Sequence, residues 1–165
     1  MNIVYLSIGS NLGDRLENIN QSLKKIEETF GEIKAKSKIY ENPPVGFESD
    51  DIFFNLCVKI STVFSLDEVL MFTQEIERQI GRKSKSSKEG YSSRLIDIDI
   101  IFFNSLIEDN ELITIPHKLF RERMFVLLPL SELAPNYIDP ITKFSVLELK
   151  NQCEDLSLLT EVISF

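Results

Sequence analysis

An α+β fold is what this sequence predicts, and three observations carry the prediction. Short apolar, β-branched runs alternate with two longer segments of helical periodicity. Each helical segment opens on a capping pair and closes at a glycine. No internal repeat, low-complexity tract or long linker divides the 165 residues, so 1–165 reads as a single domain.

The elements follow in order. Residues 3–8, "IVYLSI", form a first strand that "GSNLGD" breaks. Asp14 with Glu17 resembles a capping box, and Leu16, Ile19, Leu23, Ile26 and Phe30 recur at helical spacing before Gly31. Residues 32–41 read as a second strand and 42–51, "NPPVGFESDD", as a loop restricted by two prolines. In 52–62, Ile52, Phe54, Leu56, Val58 and Ile60 face one way, and Phe53, Asn55, Cys57 and Lys59 the other. Ser65 with Glu68 caps a second helix, striped by Val69, Phe72, Ile76 and Ile80 and stopped at Gly81. A basic loop leads into "SSRLIDIDIIFF", a third long strand. The order β-α-β-β-α-β is the ferredoxin-like arrangement, with a mainly antiparallel sheet and helices packed on it. A C-terminal extension adds a hairpin in "NSLIEDNELITIPH", a helix in "RERMFVLLPLSEL" bent or restarted near Pro129, a short helix capped by Ser145 and Glu148, and a weakly alternating tail.

Composition excludes several function classes. No apolar run approaches the roughly 18 residues of a membrane span. The first residues lack the basic and apolar regions of a signal peptide, and Cys57 and Cys153 have neither disulfide-framework nor metal spacing; a cytoplasmic protein with two reduced thiols is the expectation. The net charge is −8, but 82–94, "RKSKSSKEGYSSR", carries five basic residues against one acid. An acidic body repels nucleic acid and anionic membranes. A local basic loop on it suits a small, highly charged anion.

Asp97 and Asp99 raise the chemical question. Residues i and i+2 of a strand share a face, with Cα atoms roughly 6.6 Å apart. Ile96, Ile98, Ile100 and Phe102 face the opposite side. Two carboxylates this close repel unless a cation lies between them. Mg²⁺ prefers oxygen ligands and binds one or two carboxylates plus substrate phosphates; two carboxylates can hold a pair of ions about 4 Å apart. Asp-x-Asp alone favours a plainer reading, a solvated edge-strand pair set against Arg94. The neighbourhood shifts that balance: the basic loop runs into the strand, and the single histidine, His117, follows on the next element.

Seven segments in one order resemble a known family: "IGSNLGDR" (8–15), "YENPPVG" (40–46), "FFN" (53–55), "QEIERQIGR" (74–82), "RLIDIDI" (94–100), "IPH" (115–117) and "RMFVLLPLSELAP" (123–135). The family is 6-hydroxymethyl-7,8-dihydropterin pyrophosphokinase, of folate biosynthesis. The resemblance implies a ferredoxin-like α+β fold and transfer of a diphosphate from ATP to the hydroxymethyl group of the pterin, releasing AMP. It implies Mg²⁺, expected as two ions, on Asp97 and Asp99, with Arg82 and Arg94 contacting the ATP phosphates alongside His117 and Arg123. Gln74, Glu77 and Ile100 match positions bordering the nucleotide. Asn55 matches the position whose amide reads the pterin edge, Phe53 and Phe125 those that sandwich the ring, and Pro44 and Val45 the loop lining its pocket. Monomer is the default, with ATP and a reduced pterin as partners.

The chain departs from the family in the basic loop. Ser84 stands at the spacing of a second arginine, Tyr91 near that of a tryptophan, and Ser92-Ser93 replace Gly-Pro. A Ser/Lys/Gly-rich loop is expected to be mobile over 83–92 without ligand. Two other classes remain open at this point: a non-catalytic ferredoxin-like ligand-binding module, and a different Mg²⁺-dependent phosphotransferase using the same carboxylates.

Overall fold

Asn2–Ser10 (β1) is an interior strand, paired along both edges, and organises the rest. The computed structural model describes residues 1–42, 52–81 and 95–162. After β1 come α1 (Arg15–Phe30), β2 (Ile33–Lys36), β3 (Tyr40–Asn42), β4 (Phe53–Thr62), α2 (Leu66–Ile80) and β5 (Asp97–Phe103). Then follow β6 (Glu108–Asp109), β7 (Thr114–Ile115), a 3-10 turn (Phe120–Glu122), α3 (Met124–Leu133), α4 (Val146–Gln152) and β8 (Thr160–Glu161). The sheet runs β5-β1-β4-β3-β8, with β2 also on β4, and its pairings are antiparallel. β6 and β7 form a separate two-stranded pair.

Alternation along the strands gives the sheet two apolar faces. Val4, Leu6 and Ile8 of β1, with Leu56, Val58 and Ile60 of β4, pack against Ile19 and Ile26 of α1 and Val69 and Ile76 of α2. Tyr5, Cys57, Ile101 and Phe102 pack on the other face against Val126, Leu127 and Leu130 of α3 and Val146 and Leu149 of α4. Each fully buried aliphatic side chain contributes about 1.5–3 kcal/mol, so the two clusters together hold the helices to the sheet.

The helix ends follow the capping signals, with one difference. Ser65–Glu68 and Ser145–Glu148 are complete capping boxes. Asp14 accepts the Glu17 N–H at 3.0 Å, but the Glu17 carboxylate accepts from Gln21 at 2.8 Å, so only the forward half of that box forms. Gly81 ends α2 at φ +116°, where a side chain would be strained.

Three sequence expectations need correction. The strand expected over 32–41 is two strands, because the Cys57 N–H is met by the Ser37 hydroxyl (2.9 Å) instead of a main-chain carbonyl, which interrupts the ladder. Phe102 does not share a face with Ile98 and Ile100. The β1–β5 register shifts between Tyr5 and Leu6, the extra residue is Ile101, and Ile101 and Phe102 both join the α3 side. α3 neither stops nor restarts at Pro129; it runs through, buried between β4 and α4, whose packing outweighs the one lost amide donor. The weakly alternating tail does carry a last strand, two residues long, paired with β3.

Asp139 fastens the turn before α3. Its carboxylate, fully buried, accepts Arg121 Nε at 2.7 Å and Nη2 at 2.9 Å, and also the Thr142 hydroxyl at 2.6 Å. Burial alone would raise its pKa, but these bonds and the Ile141 N–H outweigh burial and hold it below the usual carboxylate value. A depressed folded pKa stabilises fully above the unfolded value of about 3.9 and is lost as pH falls through the folded one. Asp139→Ala should cost about 3 kcal/mol in urea unfolding at neutral pH, by leaving Arg121 without its carboxylate, and should flatten the loss of stability in acid. An unchanged midpoint would contradict the assignment.

Candidate functional site

The strand registers bring distant segments onto one row of the sheet. Asp97 of β5 lies opposite Gly9 of β1, Gly9 opposite Asn55 of β4, and Asn55 opposite Tyr40 of β3. Directly opposed residues point to the same face, so the Asp97 carboxylate and the Asn55 amide share a surface, two strands or roughly 10 Å apart. Asp99 lies opposite Ser7 one row further along. Both aspartates are half-buried.

β5 is the edge of the sheet, and a buried carboxylate closes that edge. Glu77 of α2 is 2 % exposed and its Oε1 accepts the N–H of Ile98, between the two aspartates, at 2.8 Å. The sequence reading placed Glu77 beside the nucleotide; the structure gives it a main-chain partner that holds the strand. Gln74, one turn earlier, is half-buried. Leu95, at the entrance to β5, is wedged near Gly13 and Gly81: a Cβ at Gly81 would come within 2.9 Å of it. The Leu95 carbonyl accepts the Ser10 hydroxyl at 2.5 Å.

His117 follows a cis Ile115–Pro116 bond and donates its N–H to the Ile101 carbonyl at 3.0 Å, which moors it to β5. Its Nδ1 accepts the Leu119 N–H at 3.2 Å, so the neutral ring carries its proton on Nε2. Nε2 stands 3.9 Å from Asp99 Oδ2. A cleft of about 230 Å³ opens beside this pair, lined by Leu70, Asp99, Ile100, Thr114 and His117 among others. Its walls are apolar toward α2 and polar toward Asp99 and His117.

Arg123 is the N-cap of α3, and its guanidinium carbon lies 5.7 Å from the centre of the Phe125 ring. Burial pushes its pKa down to about 10, so it stays charged at neutral pH. Phe53 and Phe125 are both half-buried. Asn55 is 3 % exposed and donates through Nδ2 to Asn42 Oδ1. A Cβ at Gly9 would lie 2.8 Å from Asn55 Oδ1. Gly9 therefore clears the space that Asn55 occupies, and Asn42 orients it. Sequence reasoning missed both; a glycine inside a buried strand was the available signal.

The structure thus gathers Asp97, Asp99, Ile100 and His117 at one end of the row, with Asn55 further along it. Arg123 and Phe125 adjoin each other at the start of α3. Pro44, Val45, Arg82 and Arg94 lie outside the described residues, as does the mobility expected over 83–92. Among the described residues, no three His, Cys, Asp or Glu side chains converge as a metal cluster. Two carboxylates on one strand face are the donor set of a hard cation that takes its remaining oxygens from phosphate and water.

The protein-family model described as 7,8-dihydro-6-hydroxymethylpterin-pyrophosphokinase (HPPK) matches residues 5–135. A 2-amino-4-hydroxy-6-hydroxymethyldihydropteridine pyrophosphokinase of Aquifex aeolicus is 36% identical over 150 residues, 91% of this chain and 91% of its own length. One from Porphyromonas gingivalis is 40% identical over 137 residues, 82% of this chain and 92% of its own. A folic acid synthesis protein of Dictyostelium discoideum is 42% identical over 149 residues, 90% of this chain but 22% of its own. The crystal structure of wild-type Plasmodium falciparum HPPK-DHPS with pteroate superposes with a TM-score of 0.73 at 16% identity, over 92% of this chain and 44% of that one. The chain therefore spans about a fifth of the Dictyostelium relative and under half of the Plasmodium protein, a likeness of fold.

Two substitutions test the geometry. Gly9→Ala should displace the Asn55 amide, moving its side-chain NMR signals, at a cost of about 1–3 kcal/mol in stability; unmoved Asn55 signals would refute the close packing. Glu77→Ala should speed hydrogen exchange at Ile98, whereas Glu77→Gln, which keeps an acceptor, should exchange near the native rate. Equal rates in all three proteins would show that Glu77 does not hold the strand.

Proposed function

Because the chain belongs to the 7,8-dihydro-6-hydroxymethylpterin-pyrophosphokinase family, we propose that it transfers a diphosphate from ATP to 6-hydroxymethyl-7,8-dihydropterin, in folate biosynthesis. The hydroxymethyl oxygen attacks the β-phosphorus, the bond from that phosphorus to the α,β-bridging oxygen breaks, and AMP leaves. The hydroxyl proton departs to solvent. Catalysis of this kind rests on alignment and on neutralising the moving charge, and it asks for no nucleophile from the protein. One observation carries the reading: across β1, the Asp97 carboxylate and the Asn55 amide lie on the same sheet face, two strands apart.

The nucleotide enters the cleft beside Ile100, which Leu70 borders on the α2 side, and Gln74, one turn further along α2, is given its nucleotide-bordering role by the likeness of its motif. His117 presents its Nε2–H to phosphate oxygens beside Asp99, and Arg123 adds a charge that persists through neutral pH. Arg82 and Arg94, at the two ends of the basic segment, meet the same phosphates. Asp97 and Asp99 would hold Mg²⁺, as two ions. When bound, the metal neutralises polyphosphate charge, and the carboxylates fix where it does so. Asn55, held by Asn42 and cleared by Gly9, reads the donor and acceptor edge of the pterin. Phe53 and Phe125 flank the ring, and Pro44 and Val45 close its pocket from the loop. The sheet order β5-β1-β4-β3 supports the ferredoxin-like reading, and the β6–β7 pair supports a hairpin in the extension. No helix among the described residues is long and apolar enough to cross a membrane. A cytoplasmic monomer of one domain is the form in which this chemistry is proposed to operate.

Incubation with ATP, Mg²⁺ and the reduced pterin should release AMP together with the pterin diphosphate. Release of ADP would indicate an ordinary kinase, and no turnover a binding module. Asp97→Ala and Asp99→Ala should each lower kcat by about 10²-fold or more with the circular dichroism spectrum retained. Near-native turnover in either variant would remove the carboxylates from the mechanism.

A further inference from the structure

The last residues of the chain take no part in the proposed chemistry, yet one of them is inserted at the site. α3 begins at Met124, between Arg123 and Phe125, and its N-cap supplies no side-chain acceptor to the first turn. The Met124 N–H is taken instead by Asp155 Oδ2, at 2.8 Å, from 31 residues further along the chain. The other oxygen, Oδ1, accepts the Ser157 N–H at 2.9 Å and the Ser157 hydroxyl. The carboxylate is therefore oriented by its own turn before it meets the helix. A negative acceptor at a helix N-terminus is also favoured by the helix dipole.

The segment that carries Asp155 is fastened at both ends. The Cys153 N–H bonds to the Lys150 carbonyl at the end of α4, and the Val162 N–H bonds to the Ile39 carbonyl at 2.8 Å, next to the β8–β3 pairing. Between these points Leu156 and Leu158 are each 88 % exposed, so apolar burial of those side chains does not hold the segment. Its polar attachments do, and the one directed inward is on the amide between Arg123 and Phe125.

We propose that Asp155 is a positioning residue: by fixing the first turn of α3 it sets the angle between the Arg123 guanidinium and the Phe125 ring. Those two groups leave the helix on either side of the capped amide, one toward phosphate and one toward the pterin, so the tail aligns both substrates through a single hydrogen bond. The assignment rests on the pyrophosphokinase reading above.

The test compares Asp155→Ala with Ser65→Ala, which removes the cap of α2 at the end remote from Glu77. Both should lower the melting temperature to a similar degree. Only Asp155→Ala should lower kcat/KM for the pterin, by roughly tenfold, as a small misplacement of aligning groups would. Asp155→Asn, which keeps an oxygen for the Met124 N–H, should recover most of that loss. Native kcat/KM in Asp155→Ala would overturn the proposal and leave a cap that serves stability alone. Should Asp155→Ala fail to fold, Ser157→Ala carries the test: a few-fold loss of kcat/KM supports the proposal and a native value overturns it. Absence of AMP release by the wild type defeats the functional reading and this one with it; an active wild type beside an unimpaired Asp155→Ala defeats only the positioning role.

Discussion

The hydrogen bond from the Ile98 N–H to the buried Glu77 carboxylate is the constraint on which the site depends. An edge strand presents main-chain groups with no neighbouring strand, and such an edge is free to fray or to recruit another chain. Here α2 supplies the missing acceptor at the residue between the two aspartates. Two like charges on one strand face repel. Anchoring the strand from the side opposite those charges keeps their spacing from relaxing.

The sheet divides its labour by face and by row. One face is given wholly to packing against α1 and α2. The other is apolar only near α3 and α4, where Tyr5, Cys57, Ile101 and Phe102 lie. Beyond those residues the same strands present Asp99, Asp97, Gly9 and Asn55. The bulge at Ile101 makes that change possible within a single strand. It places two adjacent apolar residues in the α3 cluster and lets the carboxylates follow in alternation. Core and site are consecutive stretches of one surface, so rigidity in the first is transmitted directly to the second.

Much of this was legible in the residues. Ser65–Glu68, Ser145–Glu148 and Gly81 announced their helix ends because capping is local chemistry, decided within four residues. Asp97 and Asp99 announced a shared face because strand alternation is equally local. What escaped notice depends on partners distant in sequence. Ser37 breaks a strand only because Cys57 lies opposite it. Phe102 changes sides only because β1 and β5 slip by one residue. Glu77 was expected beside the nucleotide with Gln74; its burial against the β5 backbone follows from the approach of that strand, which helical periodicity does not encode. Gly9 stands within the 8–15 motif, but its reason, the Asn55 side chain across the ladder, follows only from the register. The roles expected of Arg82, Arg94, Pro44 and Val45 rest on the likeness of their motifs.

Leu95 and Gly81 touch, although thirteen residues separate them in the chain. The body of the protein is thereby sealed at the point where the basic segment departs and returns. Its core registers only that both junctions are clasped, whatever is spliced between them. Length and composition in that stretch can drift without taxing the architecture. For protein engineering the junction is a natural cassette boundary, where the basic segment can be exchanged apart from the fold.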